Sequence, residues 1–175
     1  ASHNGMWDMA LLAHVPGLHL AAPRDEATLR ESLRTAVSTG DAPTVVRYPK
    51  GALPEPLTAL RRLARGAEEP RAGKESVHEE TPHVSAFDVV DVLLESRPPA
   101  GGARILLVGV GAMASQAYAA GRLLEQDGHA VTVVHPHWVI PAPAPLVTAA
   151  ADVDVVVVVE DGLVDGGIGS QLRDA

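Results

Sequence analysis

Two short apolar runs, residues 18–22 and Thr44-Val45-Val46, flank a stretch in which Leu29, Leu33, Ala36 and Val37 recur at i, i+4, i+7 and i+8. Pro23 closes the first run, and Asp25 stands where a helix N-cap belongs. Gly40 and Asp41 end the helical pattern just before the second run. Strand, helix and strand with such short connections form a βαβ unit. Two strands joined this way lie parallel, because the chain must cross back over the sheet before pairing again. This unit constrains the opening third of the chain to an α/β layer.

The pattern resumes after an interruption. Residues 52–85 carry Pro54, Pro56, Pro70 and Pro82 with charges of both signs, and show little periodicity beyond a short helix expected over 57–63. They read as an exposed linker. From Phe87 onward a second α/β pattern appears. Residues 88–94 alternate loosely, as an edge strand does, and a Pro98-Pro99-Ala100-Gly101-Gly102 turn follows. A buried strand is expected over 104–110, a helix over 112–126, a strand over 131–134 and a short helix over 145–151. Residues 154–159, β-branched almost throughout, read as a central strand, and a final helix follows the Gly166-Gly167-Ile168-Gly169-Ser170 turn. The expected architecture is α/β with mostly parallel sheets, divided into 1–51, a linker over 52–85, and 86–175.

Composition narrows the function. A net charge of −8 over 175 residues, with no basic cluster, argues against a nucleic-acid or anionic-membrane surface. No apolar stretch approaches the roughly 20 residues of a membrane span. There is no cysteine, hence no disulfide framework and no thiol chemistry. With no basic-then-apolar leader at its start, the chain reads as cytoplasmic. It opens on Ala1, not Met, and reads as the interior of a longer polypeptide.

Five features carry candidate chemistry. Gly109-Val110-Gly111-Ala112-Met113-Ala114 follows a strand and opens a helix, as a dinucleotide fingerprint does. The acidic ribose partner expected at the end of the next strand is absent, which favours close strand-to-helix packing. His135 and His137 form an H-x-H pair with no obvious third metal ligand, and read as surface histidines. Glu160 and Asp161 lie at the carboxyl edge of a strand, where ligands gather in open α/β sheets; local capping explains them equally well. His3 and Asp8 flank a polar turn, and a histidine there suits proton transfer, with Asp8 to orient it. Arg47 follows a strand, and its planar fork suits a phosphate or carboxylate; an ion pair with an acidic neighbour is the alternative.

Taken together, Ser2-His3-Asn4-Gly5-Met6-Trp7-Asp8, Val15-Pro16-Gly17-Leu18, Ala22-Pro23-Arg24-Asp25 and Val46-Arg47-Tyr48-Pro49-Lys50-Gly51 resemble the 1-deoxy-D-xylulose-5-phosphate synthases, thiamine-diphosphate-dependent members of the transketolase family. The resemblance continues through Leu107-Val108-Gly109-Val110-Gly111-Ala112-Met113-Ala114, Trp138-Val139, and Val159-Glu160-Asp161 with the glycine turn after it. It implies the end of a pyrimidine-binding domain followed by most of a transketolase C-terminal-like domain. Members of the family decarboxylate pyruvate and condense the two-carbon unit with glyceraldehyde 3-phosphate, a product used for isoprenoid, thiamine and pyridoxal synthesis.

By this resemblance His3 is the catalytic histidine and Arg47 binds the acceptor phosphate. Asp8 and Lys50 belong to the substrate side at lower rank. Thiamine diphosphate and Mg²⁺ are implied as cofactors, held mainly by segments other than this one, and the working enzyme is implied to be a homodimer. No cofactor-binding or metal-ligating residue is assigned here, and the chain alone is expected to be inactive. Where the family commonly reads Asp-Pro-Arg-Trp-Val-Lys-Pro, this chain reads His135-Pro136-His137-Trp138-Val139-Ile140-Pro141, and Gly162 stands where Asn is usual. A subunit of a split transketolase-type or 2-oxo acid dehydrogenase-type enzyme, and a non-catalytic nucleotide-binding module, are the alternatives.

Overall fold

The computed structural model describes residues 5–52, 54–64, 85–96 and 102–175. The opening βαβ unit forms as expected. Strand β1 (His19–Ala21) pairs in parallel with β2 (Thr44–Val46) across helix α2 (Glu26–Ser38), which is preceded by the short α1 (Asp8–Leu12). Asp25 caps α2 in a reciprocal capping box. Its carboxylate accepts from the Thr28 backbone N–H at 2.9 Å, while the Thr28 hydroxyl oxygen accepts from the Asp25 N–H at 3.1 Å.

The remaining strands are β3 (Arg61–Ala64), β4 (Val89–Glu95), β5 (Arg104–Gly109), β6 (Ala130–Pro136), β7 (Trp138–Ile140) and β8 (Val155–Val159). Helix α3 (Ala114–Gln126) follows β5, α4 (Ala144–Ala151) precedes β8, and α5 (Ile168–Asp174) comes last. Five strands form a mixed sheet in the order β3-β4-β6-β5-β8, with β6, β5 and β8 parallel and β3 and β4 antiparallel to their neighbours. Strand β7 leaves this sheet and pairs antiparallel with β1, giving a second sheet in the order β2-β1-β7. A strand from the last third of the chain thus completes the sheet begun by the first third.

Packing follows the alternation of β5. Leu106 and Val108 face a core shared with Met9, Leu18, Leu20, Val134, Ile140, Leu146 and Ile168, so this core draws on both sheets. Ile105 and Leu107 face the opposite way, into a cluster with Val131, Val133, Ala114 and Ala117 under α3. A ring stack of His19 on Phe87, centroids 3.7 Å apart, with Trp138 edge-on to both, adds a further contact between the two halves.

Four expectations are corrected. Over residues 57–63 the chain forms no helix; Leu60 N–H bonds the Val92 carbonyl at 2.8 Å and β3 pairs with β4, because an unfilled β4 edge outweighs weak local helix preference. Residues 88–94 are not an edge: β4 lies between β3 and β6 and is almost wholly buried, Asp91 included. Conversely β8 is not central but ends the sheet among the described residues, with Val155, Val156 and Val157 each about 40% exposed. On α2 the apolar stripe turns outward, with Val37 86% exposed, and the buried positions are Thr28 and Ser32. The capping box and the charges around Asp25 set the rotation of this helix. Most of residues 52–85, and the Pro98–Gly101 part of the expected turn, lie outside the described residues.

Candidate functional site

Arg47 lies just past the end of β2, and its backbone N–H still bonds the Ala21 carbonyl at 2.8 Å, so the strand pairing fixes where the side chain starts. The guanidinium reaches two partners from opposite ends of the chain. Its Nε donates to Asp8 Oδ2 at 2.8 Å, and its Nη2 donates to the backbone carbonyl of Asp161 at 2.7 Å. Asp8 begins α1, and its other carboxylate oxygen accepts from the Met9 N–H at 2.8 Å. Nη1 forms no hydrogen bond among the described residues, and the side chain keeps about a fifth of its surface exposed.

Asp161 is held in place by its neighbours. Val159 O at the end of β8 accepts from Val110 N–H at 2.9 Å. The Glu160 carboxylate accepts from the N–H groups of Ile168 and Gly169 at 2.9 and 3.0 Å, closing the 160–169 loop on the first turn of α5. The same loop packs on α1. A Cβ on Gly162 would sit 2.7 Å from the tip of Met9, and one on Gly166 would sit 2.5 Å from the Ala10 Cβ. Gly166 also has φ +79°, in the left-handed region glycine favours. The loop therefore approaches the helix carrying Asp8 as closely as backbone allows.

Of the four sequence candidates, the structure brings together Asp8 and Arg47. The ion-pair alternative raised for Arg47 is what the described residues contain, with Asp8 as the acidic neighbour. Lys50 is exposed three residues beyond, with no ion pair among the described residues. His3 lies outside the described residues. Glu160 acts as a local cap, one of the two roles open to it.

The histidine pair is corrected outright: His135 and His137 are buried, not on the surface. His137 Nε2 meets Asp91 Oδ2 at 2.8 Å; an ionised carboxylate only accepts, so the proton sits on Nε2. His135 Nδ1 lies 3.0 Å from the Gly109 carbonyl, which can only accept, and so donates to it, leaving Nε2 buried with no partner among the described residues. Burial, reinforced by the charge of Arg24 and by His137, pushes His135 down to about 3. It stays neutral at ordinary pH.

Around Asp91 stands a charge network that the sequence reading did not single out. Arg24 Nη1 and Arg62 Nε donate to its two oxygens at 2.7 and 2.8 Å, and Arg62 also forks onto Glu31 of α2 at 2.8 and 2.9 Å. Burial alone would raise the Asp91 carboxyl, but the hydrogen bonds and charges of His137 and Arg24 outweigh it and hold the group well below the usual carboxylate range. A charged residue at the centre of the apolar run Val89-Val90-Asp91-Val92-Leu93-Leu94 was the available signal.

At the glycine fingerprint, packing accounts for the spacing. A Cβ on Gly109 would fall 2.5 Å from the Ala114 Cα, so strand and helix approach as only glycine permits. Gly111 faces Ala22 and Pro23 of the loop after β1, not an open cleft. Among the described residues no group of three or more His, Cys, Asp or Glu converges to hold a metal ion, and no helix is long and apolar enough to cross a membrane.

Comparison with known proteins agrees with this architecture. Residues 1–56 match the family described as transketolase, pyrimidine binding domain, and residues 96–175 match transketolase, C-terminal domain. The chain is 48% identical over 176 residues to a 1-deoxy-D-xylulose-5-phosphate synthase of Kocuria rhizophila, covering 98% of this chain and 23% of that protein. It is 46% identical to the synthase of Rhodococcus jostii, covering 100% and 23%, and 43% identical to that of Corynebacterium glutamicum, covering 100% and 25%. The chain thus spans about a quarter of the length of the curated relatives it matches. Among solved structures, a split-gene transketolase described as an inactive beta4 tetramer superposes with a TM-score of 0.71 at 24% identity, over 99% of this chain and 48% of that one, which shows a shared fold. On two consecutive domain matches in the right order, with relatives this similar along the whole chain, the chain belongs to the transketolase family.

Proposed function

We propose that this chain forms the acceptor-phosphate side of a 1-deoxy-D-xylulose-5-phosphate synthase, with residues 1–51 ending a pyrimidine-binding domain and 86–175 forming the C-terminal-like domain. The enzyme decarboxylates pyruvate and joins the two-carbon unit to the aldehyde carbon of glyceraldehyde 3-phosphate. The observation that carries this reading is the Arg47 guanidinium, fixed at the carboxyl edge of β2 by Asp8 and the Asp161 carbonyl, with Nη1 uncommitted among the described residues. A planar donor fork with one end anchored is suited to a phosphate dianion, and Lys50 nearby adds positive charge.

Asp8 aligns the fork through its bond from Nε. His3, five residues before Asp8 in the sequence, supplies the proton transfers that accompany carbon–carbon bond formation. Thiamine diphosphate with Mg²⁺ would supply the electron sink for decarboxylation when bound, held mainly by segments of the enzyme other than this one. In this reading the working enzyme is a homodimer. Its acceptor is a charged phosphate ester that does not cross a bilayer unaided, which supports a cytoplasmic reaction.

The test is Arg47→Ala in the complete, cofactor-loaded enzyme carrying this sequence. The KM for glyceraldehyde 3-phosphate should rise at least about tenfold more than the KM for pyruvate. Equal effects on both substrates would refute the assignment.

A further inference from the structure

We infer that Glu160 is a positioning residue for acceptor-phosphate recognition, acting through the Asp161 carbonyl on Arg47. The inference rests on the assignment of Arg47 to the acceptor phosphate and goes one step beyond it. The two carboxylate oxygens of Glu160 each take a backbone N–H at the start of α5, one from Ile168 and one from Gly169. A carboxylate committed at both oxygens cannot rotate without giving up a hydrogen bond, so residue 160 is pinned to the start of α5 and residue 161 leaves from an anchored point. One residue further along, the Asp161 carbonyl receives Arg47 Nη2 at 2.7 Å.

The alternatives for holding this carbonyl are weak. Asp161 itself is exposed, Gly162 has no side chain to anchor, and Leu163, Val164 and Asp165 are exposed as well. On the other side, β8 ends at Val159. Glu160 is therefore the one side chain in the turn that ties residue 161 to a rigid element. Its partner across the guanidinium, Asp8, sits on α1, against which the same loop packs through Gly162 and Gly166. The arrangement makes the orientation of Arg47 depend on two carboxylates from the two ends of the chain, one directly and one through a peptide carbonyl. Loss of Glu160 frees the Asp161 carbonyl and lets the guanidinium swing toward Asp8, where Nη1 no longer presents the same edge to a phosphate.

The experiment uses the complete, cofactor-loaded enzyme with Glu160→Gln, which keeps the side chain's length and one acceptor oxygen, and Glu160→Asp, which keeps the charge and loses the reach. Steady-state kinetics are measured with glyceraldehyde 3-phosphate, with unphosphorylated glyceraldehyde and with pyruvate. Both variants should raise the KM for glyceraldehyde 3-phosphate by about tenfold. The KM for pyruvate and the rate with unphosphorylated glyceraldehyde should stay within about twofold of the parent. In an Arg47→Ala background the same substitutions should add nothing further to that KM.

An unchanged KM for the phosphorylated acceptor in Glu160 variants, alongside a raised one in Arg47→Ala, overturns the positioning role and leaves the Arg47 assignment standing. A uniform loss across all three substrates, tracking a lowered melting temperature, makes Glu160 a purely structural cap and also overturns it. If Glu160→Gln does not fold, Glu160→Asp decides the matter by the same KM comparison. Failure of Arg47→Ala to discriminate the substrates removes both readings at once.

Discussion

Arg24 and Asp91 face each other at 2.7 Å with their side chains only 6% and 1% exposed, one from the loop after β1 and the other from the middle of β4. The contact adds a charged link to the apolar core that the two sheets already share. Arg24 is held further by Asp25 at 3.2 Å and by the Leu57 carbonyl at 2.9 Å, and Asp91 by Arg62 and His137. Both carboxylate oxygens of Asp91 are therefore used.

Removing Asp91 should be far more damaging than its single side chain suggests. Asp91→Ala strands the buried Arg24 and the buried His137 Nε2–H together, and breaking one partner of such a pair costs about 3–5 kcal/mol. Asp91→Asn keeps shape and one acceptor and should cost less. Urea denaturation of both variants checks this; a loss under about 1 kcal/mol for Asp91→Ala would mean the network contributes little.

Acid should weaken the protein in two stages. Unfolded, His135 takes up a proton as the pH falls through its ordinary 6.5; folded, it does so only near 3. Between those values the unfolded state binds more protons, so stability falls on acidification by at most about 1.4 kcal/mol per pH unit for this group. His19, also lowered by burial, adds to the same trend. Asp91 and Asp25, both held below their ordinary 3.8, contribute stability that is present above that value and lost as the pH drops beneath it. His135→Asn keeps a donor toward the Gly109 carbonyl but does not titrate. Its stability should change less between pH 6.5 and 4.5 than the parent's, and equal slopes would show that His135 is not the group responsible.

Much of the element order can be read directly from the residues, and the failures share a cause. The capped helix after Pro23, the strand before Gly109 and the helix behind it follow from short-range chemistry: a carboxylate at an N-cap, alternating aliphatics, a glycine at a close approach. Strand position does not follow from short-range chemistry. The loose alternation around Asp91 resembles an edge because a charge interrupts it, yet Arg24, distant in sequence, neutralises that charge and lets β4 lie inside. The valines of β8 resemble a centre strand because every residue is apolar, yet no strand covers the outer side among the described residues. For the site, Arg47 and Asp8 are each legible, but their mutual contact, and the Asp161 carbonyl between them, depend on how the two ends of the chain meet. His135 and His137 resemble surface residues for the same reason: their partners, Gly109 and Asp91, are remote.

Gly109 offers a sharp check on the packing account of the glycine fingerprint. A Cβ there would meet the Ala114 Cα at 2.5 Å and the Ala117 Cβ at 3.0 Å, and backbone cannot yield as a side-chain tip can. Gly109→Ala should destabilise by about 1–3 kcal/mol. Gly40, with nothing within 4 Å of such an atom, should tolerate Ala with little change. Thermal unfolding of the two variants side by side decides it; similar midpoints for both would remove the close-packing argument at Gly109.

The outer edge of β8 is open to pairing among the described residues. Five successive valines form one edge of the five-stranded sheet, opposite β3 among the described residues, and three of them are about 40% exposed. Such a strand offers unpaired backbone donors and acceptors beside β-branched side chains, with no charge or proline to discourage pairing. The isolated chain should therefore self-associate as its concentration rises. Val156→Lys places a charge at the middle of that edge, the usual way natural sheets block it, while the strand's pairing with Leu106 on the covered side remains. Light scattering across a concentration series should show the parent gaining mass and Val156→Lys staying at one mass. Concentration-independent mass for the parent, or association undiminished by the lysine, would mean that another surface governs assembly.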